Sequence, residues 1–532
     1  MTQTTTINRT ELQALKQRIS EAQAYGLSLS QEDNQYILDA LMTLEHLQQQ
    51  LHTHSITLHK LRKSLGIEMS SEKLRDLCGE NTTAGESKDK LAKPPRQRPP
   101  KPKSTTPPVT INHALTQYQS GEVCPACEIG KLYSTKPARL LRITGQSPYA
   151  RELHLAEQRR CNACGAYFTA PLPEAVTVDG EPQQQYGYSA RSLMVLSKYF
   201  AGSPFYRQEC LQGLLGVAIS SSTFYDQSSY VANDVTPLFD RLKELAANAV
   251  DYLLDDTGHR ILKQGPVMKK RLKQKKAKRR TGIYASGVIA NLSNQHQIVL
   301  FQTNVGHAGE LIDELLEKRS PDQPPPILMS DALANNNPQS CCETIRSLCN
   351  THGRRQFADV FNHFPTQVEY VLKQYQTIWL NETTVVQEQL SPEQRLAYHQ
   401  THSLPVMAAL REWGNQLIQS GKIEENSGLG KAICYFDRHY EGLTRFCTHV
   451  GARLDNNLME AMLKLIVRGR KNSLFYKTQT GANVADVLTS VIATAASAGI
   501  NVFDYLNAIQ RNKAAVKANP DQWLPWNFKA EK

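Results

Sequence analysis

The stretch DYLLDDTGHRIL, residues 251–262, opens on a short apolar run and breaks into two adjacent aspartates. Two further strand-like runs follow, IYASGVIANL (283–292) and HQIVLFQTNV (296–305). A helical pattern comes next, AGELIDELLEKR (308–319), and then a fourth run, PPILMSD (325–331), which again ends in an aspartate. Short β-rich runs bounded by polar turns read as strands, and the longer amphipathic stretch reads as a helix.

The order strand, strand, strand, helix, strand is that of a ribonuclease-H-like core. In that order the first and fourth strands are neighbours, so Asp255 and Asp331 meet at one edge. Asp256 is a rival for Asp255, but successive strand residues point to opposite faces, and Asp255 is preferred. Residues 453–475, RLDNNLMEAMLKLIVRGRKNSLF, place Glu460 on a predicted helix between paired asparagines and a basic cluster. Three carboxylates on two strand ends and a helix suit Mg²⁺, a hard cation that prefers a few carboxylates plus water and phosphate. Two such ions (Mn²⁺ is an alternative) can activate an attacking oxygen and stabilise a leaving one. Taken singly, Glu460 could equally pair with Lys464 one turn on, and each aspartate could be a strand-end turn residue.

The surroundings suggest a polyanionic partner. The 532-residue chain has 61 basic and 50 acidic side chains, a net charge of +11. The excess is concentrated in segments, which points to DNA. Nine basic residues and no acid lie between Lys269 and Arg280, in a connection that would project as a positive finger carrying Lys269, Lys270, Arg271 and Lys273. Arg354, Arg355, Arg468, Arg470 and Lys471 are further candidates for phosphate contact. Cys124 and Cys127, then Cys161 and Cys164, form two CxxC knuckles, enough thiolates for one structural zinc. Cys349 and His352 have CxxH spacing, although a histidine so placed is more often a packed or supporting group. No apolar run is long enough for a membrane span, and the N-terminus MTQTTTINRTELQ lacks a signal pattern. A bacterial cytoplasmic, nucleoid-associated protein is expected.

The expected organisation is multidomain α/β. An N-terminal helical segment (1–78) carries heptads over 37–65, which fit either a coiled coil or an amphipathic helix packed on its own domain. A Pro-rich basic linker (79–115) leads to a zinc ribbon (116–175) and a helical DNA-binding region (185–245). In the last, SSSTFYDQSSYVAN begins the second helix of a helix-turn-helix, capped by Ser220 or Ser221. The catalytic domain spans 246–500 with a helical insertion at about 365–445, followed by a tail (501–532).

These motifs together resemble the large transposase of the insertion sequence sixty-six family, from about residue 60 to the end. LLDDTGHRIL matches its first-aspartate motif, MSDALANN the second, CNTHGRRQF the segment that follows, and LDNNLMEAMLKLIVRGRKNSLF its glutamate motif. SKYFAGSPFYRQE, GLLGVAISSSTFYD and QWLPWNF also have counterparts there. The resemblance implies a DDE-type transposase that binds terminal inverted repeats and cleaves and transfers DNA strands, with Asp255, Asp331 and Glu460 as metal ligands. It implies target DNA as a second partner, a homo-oligomeric active complex and accessory proteins of the same element. A DNA-binding regulator without catalysis is the alternative. Three positions depart from the family pattern: Asp256-Thr257-Gly258 replaces an acid-Thr-Pro run, Ala461 an arginine and Ser473 a tryptophan.

Overall fold

A computed structural model describes residues 147–160, 167–181, 183–270, 276–340 and 342–529, with short pieces between 15 and 37 and between 120 and 132. The heptads beyond Ile37, the Pro-rich linker, the four knuckle cysteines Cys124, Cys127, Cys161 and Cys164, and Arg271 and Lys273 lie outside the described residues. The chain divides into two compact units, 1–86 and 87–532. In the first, Arg18 and Asp33 form an ion pair of 2.7 Å. The second holds a mixed sheet and the helices around it.

The sheet has five strands: β1 (Asp251–His259), β2 (Ile283–Asn291), β3 (Gln297–Asn304), β4 (Ile327–Ser330) and β5 (Ile345–Leu348). Their order is β3-β2-β1-β4-β5. The first three form an antiparallel meander, while β4 runs parallel to β1 and β5 parallel to β4. The helices are α1 (Tyr188–Val195), α2 (Phe205–Leu214), α3 (Ser221–Ala246), α4 (Ala308–Leu316), α5 (Asn350–Ala358), α6 (Pro365–Gln387), α7 (Pro392–His402), α8 (Leu404–Gln419), α9 (Gly428–Arg438), α10 (Asn457–Ser473), α11 (Gln479–Ser497) and α12 (Val502–Arg511). The helices α6 to α9 fill the stretch expected to be a helical insertion.

Alternation along the strands builds a core on each face of the sheet. Tyr252, Leu254, Val288, Ala290, Ile298 and Leu300 pack with α3, α4, α11 and α12. Leu253, Ala285, Ile289, Val299 and Phe301 pack with Met459, Leu463 and Ile466 of α10. The first core also takes in Tyr505, Leu506, Val516 and Leu524, so residues expected to form a tail are part of the main body.

The edge strand β3 is closed by side chains rather than by another strand. Thr494 Oγ1, Ser490 Oγ and Asp486 Oδ2, one turn apart on α11, accept from the backbone N–H groups of Val299, Phe301 and Thr303 at 3.0, 2.9 and 2.7 Å. An edge strand with unpaired N–H groups invites association, and covering it with a helix removes that liability.

Helices α2 and α3 do form a pair joined by a short connection, and Ser220 caps α3 by accepting from the Thr223 N–H. Most of α3 is a core element, since Phe224, Val231, Val235, Leu238 and Leu242 are fully buried. The basic segment forms a two-stranded ribbon, Val267–Lys269 against Lys278–Arg280, with its tip outside the described residues. Chain segments pair antiparallel on either side of each cysteine knuckle: Val123 with Lys131, and Gln158–Arg160 with Tyr167–Thr169.

Candidate active site

Strand β1 pairs with β4 in the register Leu253 to Met329. Continuing that register by two residues sets Asp255 beside Asp331. Asp331 follows the last residue of β4, whereas Asp255 is not at a strand end as expected: it sits in the middle of β1, opposite Gly287 of β2, because β1 stays paired with β2 as far as His259. Glu460 comes from the first turn of α10, whose cap residue Asn456 is fully buried and donates from Nδ2 to the Leu254 carbonyl at 3.0 Å. That bond ties the helix carrying Glu460 to the strand carrying Asp255. Burial, and then the negative charges of Asp331 and Glu460, push the Asp255 carboxyl up to about 7, against an opposing hydrogen bond from the Asp256 N–H. Asp331 and Glu460 therefore lie near enough for their charges to disfavour the ionised form of Asp255.

Each aspartate has its own support. Asp331 Oδ1 accepts from the Leu333 N–H at 3.0 Å and from Asn336 Nδ2 at 2.7 Å, an arrangement that curls the following loop back on the carboxylate. Asp256 lies on the opposite face of β1. It accepts from Ser286 Oγ at 2.5 Å and the Ala308 N–H at 2.9 Å, and pairs with His307 Nδ1 at 3.0 Å. The other ring nitrogen of His307 reaches Asn335 at 3.3 Å, so Asp256 is engaged in anchoring the second-aspartate loop. Gly309 lets α4 approach that loop: a Cβ there would lie 2.5 Å from the Asn335 carbonyl oxygen and 2.8 Å from that of Asn337.

Glu460 is held differently. Its Oε1 is buried and has no hydrogen-bond partner, and the same is true of His352 Nδ1, which lies 3.8 Å away. Cys349 Sγ completes a group whose ligand atoms all lie within 4.8 Å of one another. Burial pushes that thiol up to about 11, and the sulfur accepts from the Asn456 N–H at 3.2 Å.

The profile of the Transposase IS66 family matches residues 183–484 of this chain. The chain belongs to that family. Among curated proteins it is similar to three of Sinorhizobium fredii that are described as uncharacterized. With y4hP it shares 24% identity over 70% of this chain and 67% of that protein. With y4qI it shares 24% over 64% of this chain and 62% of that protein. The match to y4jD is 29% identical and spans 37% of this chain and 39% of that protein, less than half the relative's length.

The structure shows the surroundings of all three departures from the IS66 family pattern. Ala461, where the family has arginine, is exposed on α10. Ser473, where the family has tryptophan, accepts a 2.6 Å hydrogen bond from Lys198, whose burial lowers its ammonium to about 8. The third departure, Thr257-Gly258, is where Arg470 docks, donating to Thr257 Oγ1 at 3.0 Å and to the Gly258 carbonyl.

Of the cations expected to meet phosphate, several already hold protein partners. Lys269, at the base of the ribbon, pairs with Glu310 of α4, which neighbouring Arg280 also engages. Arg468 donates to the Phe200 carbonyl. Lys270 and Lys471 are exposed, and Arg354 and Arg355 are half-buried on α5. The sequence drew attention to the paired asparagines around Glu460 without assigning Asn456 its bond to β1. It gave no signal for His307. Among the described residues no helix is long and apolar enough to cross a membrane.

Proposed function

We propose that this transposase family member cleaves and joins DNA strands, with Asp255, Asp331 and Glu460 as its catalytic carboxylates. The observation that carries the reading is that Asp255 is raised to about 7 by burial and then by the charges of Asp331 and Glu460, which places both within electrostatic reach of it. Such a cluster of hard oxygen donors, one with a buried unpartnered oxygen on Glu460, fits divalent magnesium or manganese. When bound, two such ions would polarise the scissile phosphate and activate the attacking oxygen. The strand order β3-β2-β1-β4-β5 supports a ribonuclease-H-like description of the domain.

The chain's own residues set the geometry. Asn336 and the Leu333 N–H hold Asp331, and Asn456 registers Glu460 against β1. The basic ribbon, with Arg354, Arg355 and Lys471, supplies positive potential for the phosphate backbone of terminal repeats and target. Successive attack by water and by the freed 3′-hydroxyl requires no covalent link to protein. We assign Cys124, Cys127, Cys161 and Cys164 to one structural zinc, a reading supported by the antiparallel pairing around each knuckle. The active complex is a homo-oligomer on DNA, with accessory proteins of the same element as further partners.

The test is strand cleavage of a duplex carrying the element's terminal repeat, with Mg²⁺. Asp255→Asn, Asp331→Asn and Glu460→Gln should each abolish it while leaving duplex binding in place. Cleavage undiminished in any of the three rejects that residue's assignment.

A further inference from the structure

Helix α5 begins at Asn350, so Cys349 stands at its cap and His352 in its first turn, three residues on. That spacing puts both side chains on one face of the helix start. Helix α10 brings Glu460 up to the same face. The unpartnered buried atoms His352 Nδ1 and Glu460 Oε1 are 3.8 Å apart, too far for a hydrogen bond. Two ligands of one tetrahedral zinc lie about 3.4 Å apart given the usual zinc–nitrogen and zinc–oxygen lengths. The ring and the carboxylate therefore need only a small approach to share an ion. Cys349 Sγ lies within 4.8 Å of both.

The geometry points to a second metal site, at which Cys349, His352 and Glu460 hold a zinc-class ion that competes with the hard-cation site for Glu460. The donor set is the reason for the metal class. Thiolate and imidazole favour zinc and similar borderline ions over magnesium. Three protein ligands leave one position open, unlike the closed four-thiolate knuckles. The Asn456 N–H on the sulfur acts as an outer-shell bond that would favour the thiolate form once a metal replaces its proton. Asn456 thus touches both arrangements: its backbone faces Cys349 and its side chain holds Leu254. Because one carboxylate serves both sites, zinc that takes Glu460 Oε1 withdraws it from the hard-cation site, and the two compete. The inhibitory consequence rests on the catalytic role proposed for Glu460, whereas the binding site itself does not.

The experiment is metal counting on the full chain, stripped with chelator, reloaded with excess zinc and desalted. Wild type should retain two zinc ions per chain, and His352→Gln and Cys349→Ala one each. The His352 substitution, at a partly exposed position, guards against a folding defect at the buried cysteine. Equal zinc content in wild type and folded His352→Gln overturns the site, whatever happens to cleavage. In parallel, cleavage is measured in Mg²⁺ with and without micromolar zinc. The inhibited fraction should be large in wild type and small in His352→Gln. A second zinc without any Mg²⁺-dependent cleavage would instead overturn the catalytic reading and leave the metal site standing.

Discussion

The Asp255 carboxyl offers a measurement of the site that needs no DNA. Its value rises from 3.8 to about 7 because it is buried and faces Asp331 and Glu460. An acid whose folded value is raised favours the folded state while protonated. The stability it contributes is full below about pH 4 and is lost as pH rises through about 7. Three units at 1.36 kcal/mol each set a ceiling of about 4 kcal/mol. Relaxation and water access should leave an observable cost of about 2 kcal/mol at pH 8. Asp255→Asn removes the charge but keeps the shape, so in chelator at pH 8 it should be about 2 kcal/mol more stable than wild type. At pH 4 the two should converge. Asp486, also raised to about 7 by burial, titrates in the same direction in both proteins and cancels in the difference. Millimolar Mg²⁺ should raise wild-type stability at pH 8 and raise that of the variant much less. The assay is urea unfolding followed by fluorescence across pH, with and without Mg²⁺. If Asp255→Asn proves less stable than wild type at pH 8, or shows no convergence in acid, the carboxylates do not repel as described.

Asp256→Asn should lose about 1–3 kcal/mol of stability, because it weakens bonds to Ser286, Ala308 and His307 in one step, yet should keep measurable Mg²⁺-dependent cleavage. Loss of cleavage equal to that of Asp255→Asn in a folded protein would reverse the assignment between the two. Ser490→Ala and Thr494→Val each leave a β3 N–H group buried without a partner and should each cost about 1–3 kcal/mol in urea unfolding. Gly309→Val drives a side chain into the carbonyls of Asn335 and Asn337, so it should displace the loop holding Asp331 and reduce cleavage more than it reduces stability. Ala461→Arg, at an exposed helix position, should change stability by no more than about 0.5 kcal/mol.

Strands β1, β2 and β3 were legible because each is a run of apolar and β-branched residues ended by a polar turn. The pairing of β1 with β4 followed from the position of the helix between them. Strand β5 is only Ile345–Leu348, with an arginine and a serine inside it, and such a short mixed run carries no period. Nor could sequence reveal the closing of β3 by α11. Asp486, Ser490 and Thr494 look like isolated polar residues in an apolar helix, and their partners are backbone N–H groups, which leave no trace in residue identity. The convergence of Asp255 with Asp331 could be read from strand order. The position of Glu460 could not, because more than a hundred residues of helical chain separate it from β5.

The placing of Glu460 follows from how α10 is fixed. Asn456, at its start, donates to the Leu254 carbonyl, one residue before Asp255. Arg470, in its last turn, donates to Thr257 and Gly258, just beyond Asp255 on the same strand. Between these two bonds Met459, Leu463 and Ile466 pack on the face of the sheet that includes Leu253. Both ends of the helix are thus referenced to β1, and the glutamate is set against Asp255 by the sheet rather than by the long insertion that precedes it. The same arrangement leaves the Glu460 side chain with a buried oxygen that no protein donor occupies.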